Sequence, residues 1–105
     1  MGCNVRILPS AEQEVEEIVA YLAGHGPMTA RRFVDAYRKQ LDLLASGVVE
    51  YGLSALPELA ELGYHACRAT RYILLYYREG ADVVIAHVFH ESRDYARLVL
   101  PIDEG

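Results

Sequence analysis

A chain of 105 residues suits a single domain, residues 1–105, with a core large enough to hold without disulfides or a metal. Fifteen acidic against ten basic residues leave a formal charge of −5, which argues against strong direct binding to nucleic acid, because such binding draws on a surplus of Lys and Arg. Although 52% of the residues are hydrophobic, no apolar run approaches the roughly 20 residues that a membrane-spanning helix needs.

The opening Met1-Gly2-Cys3-Asn4 lacks the basic stretch and apolar run of a signal peptide, so the expected compartment is the cytoplasm. Cys3 and Cys67 belong to no CxxC pair and read as free core thiols. Cys3 to Leu8 predicts a short strand that Pro9 stops. Ser10 and Gln13 form the S-x-x-Q pattern of a capping box, in which each side chain satisfies a backbone N–H at a helix start. In the helix that follows, Ala11, Val15, Ile18, Val19 and Leu22 recur at spacings of three and four, which makes one apolar stripe. Glu12, Glu14, Glu16 and Glu17 fall mainly off that stripe, near the positive end of the helix dipole.

Gly24-His25-Gly26-Pro27 ends this helix, with His25 a turn residue and Pro27 fitting the first turn of a second helix. The second helix carries Ala30, Phe33, Val34, Tyr37, Leu41, Leu44 and Ala45 on one face and ends at Gly47. So short a connection predicts an antiparallel helical hairpin. Arg31, Arg32, Arg38 and Lys39 opposite an acidic first helix predict cross-helix ion pairs on a solvated surface.

Val48 to Gly63 is punctuated by Gly52, Pro57 and Gly63 and reads as irregular, with a helical turn around Glu58 to Leu62. Tyr64 to Ala69 predicts a strand. Tyr72 to Tyr77 and Val83 to Phe89 then form a hairpin around the loop Arg78 to Asp82. Arg93 to Leu100 adds a helical turn or a short strand. The order β-α-α-β-β-β is an α+β fold, with the helical hairpin packed on one face of a mostly antiparallel four-stranded sheet.

The last strand runs into His90-Glu91-Ser92-Arg93-Asp94, and a strand end can aim polar groups rigidly. His87 and His90 are spaced so that a strand turns them to opposite faces, which removes a shared metal site. No metal or cofactor signature occurs elsewhere. His87 reads as a hydrogen-bonded sheet residue and His65 as facing solvent or a loop. His90 can serve as a general acid or base, with Arg68 and Arg93 holding a phosphate. The competing reading is a terminal network that ties the chain to the sheet. Arg68 and Arg71 flank the turn into the hairpin and, with Tyr72, His90, Glu91, Arg93 and Asp94, form a candidate binding surface. Binding is favoured over catalysis.

Together SAEQEVEEIVAYLA, ARRFVDAYRKQLDLLA, LPEL at Leu56 to Leu59, RYILLYYREG and the closing VFHESRDY resemble the RelE/ParE superfamily of toxins, on its ParE side, from about Val5 to Asp94. The resemblance implies the toxin of a type II toxin–antitoxin module of the plasmid-stabilisation kind, neutralised by a cognate antitoxin. ParE relatives poison DNA gyrase, whereas RelE relatives cleave mRNA on the ribosome. The RelE pattern places an arginine just after the tyrosine of the strand that starts at Tyr72. Here that residue is Ile73, and Tyr64 to Ala69 carries one arginine and no lysine. The departures favour a gyrase inhibitor that acts by binding. The alternatives are a ribosome-dependent endoribonuclease built on His90, Arg68 and Arg93, and a non-toxic relative that only binds an antitoxin.

Overall fold

Among the described residues six elements follow one another in the order read from the sequence: β1 (Asn4–Ile7), α1 (Pro9–Ala23), α2 (Pro27–Ala45), β2 (His65–Ala69), β3 (Tyr72–Glu79) and β4 (Asp82–His90). The computed structural model describes residues 4–47 and 61–92. Strand order across the sheet is β1-β4-β3-β2, with β4 parallel to β1 and the other two pairings antiparallel. The two helices pack on each other; α1 also lies against β4, and α2 against β2.

Alternation along β3 decides what each face buries. Tyr72, Leu74 and Tyr76 join Val83, Ile85 and Val88 of β4 under the helices, where Ala11, Phe33, Tyr37 and Leu44 meet them. Phe33, Leu44, Leu74 and Ile85 are wholly buried, and each contributes roughly 1.5–3 kcal/mol through the apolar surface it removes from water. Ile73, Leu75 and Phe89 form a second cluster, with Tyr64 and Ala66 packed against it. The predicted stripe of α1 packs less deeply than that of α2. Only Ala11 is fully buried on α1, while Val15, Ile18, Val19 and Leu22 are partly buried.

Several local details differ from the sequence reading. No side chain caps α1: Ser10 Oγ instead donates to the Ala86 carbonyl of β4 at 2.9 Å, and Gln13 Nε2 donates to Glu17 at 3.1 Å. Pro9 takes the first helical position, where its missing N–H leaves nothing unsatisfied. Among the described residues no ion pair joins α1 to α2, because Arg31, Arg32, Arg38, Lys39 and three of the four α1 glutamates lie on exposed faces. The β3–β4 loop shrinks to Gly80-Ala81, with Gly80 at φ 61, a left-handed conformation that glycine adopts without strain. His65, half-buried, stacks on the wholly buried Tyr76 at 5.1 Å.

Pro27 opens α2 and Gly47 follows its cap, both as read. A bulge lies between Leu75 and Tyr76 where they pair with β4, and it shifts the register of β4 after Ile85. Residue Cys3, the connector Leu56 to Leu59, most of the turn expected at Glu58 to Leu62, and the segment Arg93 to Leu100 lie outside the described residues. No helix among the described residues is long and apolar enough to cross a membrane.

Candidate functional site

At the end of β4 a cleft of about 430 Å³ opens between α1 and the sheet. Helix α1 supplies Glu17, Ile18 and Tyr21 to one wall, and the sheet supplies Tyr72, Val88 and His90 to the other. Helical spacing places Glu17 and Tyr21 one turn apart on the same side of α1. Tyr21 is 61% exposed despite its size. Tyr72 is buried, edge-on to Phe33 at 5.0 Å and to His90 at 5.2 Å, so the core fixes the ring that His90 leans on.

His90 is held from its own strand end. The Ser92 backbone N–H donates to His90 Nδ1 at 3.1 Å, and Ser92 Oγ lies 2.7 Å from the same nitrogen. With Nδ1 accepting, the neutral ring carries its proton on Nε2. His87 is a separate site. Its Nδ1 lies 3.2 Å from Glu14 Oε1, and its ring stacks on Phe89 at 5.2 Å, the hydrogen-bonded sheet role its sequence position suggested.

Arg68 sits on β2, exposed, and its guanidinium is hydrogen-bonded and ion-paired to Glu91. That hydrogen bond, reinforced by the charges of Arg68 and Arg71, holds the Glu91 carboxyl below the usual carboxylate range. Arg71 lies in the two-residue β2–β3 turn, and its carbonyl accepts the Glu91 N–H at 2.8 Å. The structure thus gathers Arg68, Arg71, Tyr72, His90 and Glu91 at one corner of the sheet. Arg93 and Asp94 lie outside the described residues.

The register divides this corner between the two faces. Tyr72 pairs with His90 and faces the helices; Arg68 pairs with Ile73, which pairs with Phe89, so Arg68 faces the other way. Arg68 and His90 therefore project from opposite faces. Cys67 offers no nucleophile, since burial pushes its thiol up to about 12. Among the described residues no group of three or more His, Cys, Asp and Glu could hold a metal ion.

The sequence reading missed the carboxylates of α1 as part of this region. Glu14 and Glu17 looked like ordinary dipole-favouring residues, and the recurrence of Glu14, Glu17, Ile18 and Tyr21 at spacings of three and four was the available signal. Arg6 was missed as well. It pairs with Asp82 at 3.1 Å and with Glu79 at 3.3 Å, tying β1 to the turn end of the β3–β4 hairpin, remote from the cleft.

Residues 5–95 match the family described as the ParE toxin of the type II toxin–antitoxin system parDE. Among solved structures the chain is similar to one from the chromosomal ParDE TA system of P. aeruginosa, with a TM-score of 0.63 and 16% identity. That match covers 84% of this chain and 95% of the other, and at such low identity it speaks for the fold. No curated protein matches the chain.

Proposed function

The chain belongs to the ParE toxin family of type II toxin–antitoxin systems, and from there we propose that it is a cytoplasmic toxin silenced by a cognate antitoxin, which inhibits DNA gyrase by binding and breaks no bond itself. The observation that carries this reading is the split between Arg68 and His90. Cleaving a phosphodiester requires the acid or base and the phosphate-holding cation to converge on one group within hydrogen-bond reach. Here they project from opposite faces of the sheet, and Arg68 is already neutralised by Glu91. The charge of −5 also disfavours the RNA-rich surface of a ribosome.

Expression of the chain alone in a bacterium tests the proposal. Gyrase poisoning gives filamentous cells with an induced DNA-damage response, and full toxicity of His90→Ala would remove the nuclease reading. Prompt translational arrest with cleaved mRNA, abolished by His90→Ala, would replace the proposal with the nuclease reading. Undisturbed growth would leave only a partner-binding relative.

A further inference from the structure

Two stretches of edge in this sheet are guarded by side chains from the helices. Along β4 past Ile85, Ser10 donates to the Ala86 carbonyl and Glu14 accepts the Val88 N–H. On the outer edge of β2, Gln40 Nε2 of α2 donates to the Arg68 carbonyl at 2.6 Å. Strand β1 differs. The Leu8 N–H donates to the Ile85 carbonyl at 3.0 Å, which fixes the phase of the parallel ladder. Asn4, Arg6 and Leu8 therefore turn their backbone groups to β4, and Val5 and Ile7 turn theirs away. Among the described residues nothing meets the outward N–H and C=O groups of Val5 and Ile7. The side chains of these two residues pack, half-buried, against the core under the helices, and Arg6 between them lies on the opposite face.

We propose that two copies of this chain pair through β1, antiparallel across a two-fold axis, so that their four-stranded sheets become continuous. The contact is independent of the toxin's target. Its register is self-complementary: Val5 of one copy exchanges both backbone hydrogen bonds with Ile7 of the second, Ile7 does the same with Val5, and Arg6 faces Arg6 at the axis. Every outward group of Val5 and Ile7 is then satisfied. On the helix face the branched side chains of Val5 and Ile7 meet as cross-strand pairs. A central charge on a short strand commonly guards an edge. Here, however, each Arg6 guanidinium already holds Asp82 at 3.1 Å and Glu79 at 3.3 Å, so the axis gathers guanidiniums and carboxylates of both copies and no bare cation. This balance selects the occupant. A second copy brings a matching apolar face and a charge already neutralised, whereas a basic strand adds an unpaired cation beside Arg6 and an acidic one meets Asp82 and Glu79. A contact of so few residues predicts a Kd on the order of 10–100 μM.

Sedimentation of the purified full-length chain, together with amide exchange followed by NMR, tests the pairing. Between about 5 and 500 μM the average mass should climb from 11.8 kDa toward twice that value. Over the same range exchange at Val5 and Ile7 should slow about fivefold, while the Arg6 amide, held by β4 in both states, stays unchanged. Val5→Pro removes an outward N–H, leaves the ladder to β4 its bonds, and should weaken dimerisation roughly tenfold. A monomer throughout the range overturns the proposal. So does a dimer whose Val5 and Ile7 amides exchange as fast as in the monomer, since its contact lies elsewhere. Protection of those amides only in the presence of a different protein would give the edge to that protein and overturn the proposal too. The exchange experiment uses the unmodified chain, so it decides the matter even where Val5→Pro folds poorly.

Discussion

The Glu14 carboxylate on α1 accepts the Val88 backbone N–H of β4 at 3.1 Å, and the same oxygen lies 3.2 Å from His87 Nδ1. A helix side chain thereby takes the place of a neighbouring strand just where β1 runs out. Ser10, one turn earlier, does the same for the Ala86 carbonyl beside the bulge. These two contacts dock α1 on the sheet and set the wall of the cleft.

Glu14→Ala should therefore destabilise the fold by about 1–3 kcal/mol, since it strands a partly buried N–H without an acceptor. Glu14→Gln keeps an acceptor oxygen and should lose less. Urea midpoints of the two variants check this; equal losses would show that the hydrogen bond to Val88 is not what Glu14 provides.

The Arg68–Glu91 contact has a pH signature. Its hydrogen bond lowers the Glu91 carboxyl below its ordinary 4.5, so the stabilisation is complete above about that pH and is lost as pH falls through the lower, folded value. Stability measured from pH 6 down to 2 should fall more steeply for the natural chain than for Glu91→Gln. Parallel curves would mean that the ion pair, exposed as it is, adds nothing measurable.

Cys67 should be silent in the folded protein. With its thiol pushed up to about 12 and its side chain buried, alkylation at pH 8 should leave it unmodified by mass mapping, and labelling should appear only in urea. Labelling of Cys67 under native conditions would contradict its place in the core.

Thr70 opens the β2–β3 turn at φ 58, a left-handed conformation that a β-branched residue holds under strain. That strain is roughly 1–2 kcal/mol, of which glycine recovers part after its greater entropy in the unfolded chain. Thr70→Gly should raise stability by about 0.5–1 kcal/mol, read as a higher Tm. A lower Tm would show that the Thr70 side chain, whose Oγ1 donates to the Ala69 carbonyl at 2.6 Å, matters more than the backbone strain.

The regular elements were legible because their periods are local. Phe33, Tyr37 and Leu44 repeat at helical spacing, and β3 and β4 are unbroken runs of strand-forming residues. The side-chain tasks were less so. Ser10 reads as a cap from its neighbours, yet its partner Ala86 is 76 residues away, and no local pattern carries that information. Arg6 likewise finds Asp82 only because β1 crosses to lie beside β4. At the candidate site the cluster was visible, but its division between two faces needed the register of β2, β3 and β4. The α1 wall of the cleft was hidden because Glu14 and Glu17 satisfy an ordinary helix-dipole explanation.

The central claim, toxicity by binding without cleavage, is tested most directly by DNA supercoiling with purified gyrase and increasing amounts of the purified chain. The prediction is dose-dependent inhibition of supercoiling with no cleavage of mRNA. Full supercoiling activity at saturating protein, together with cleavage of mRNA on translating ribosomes, would contradict it.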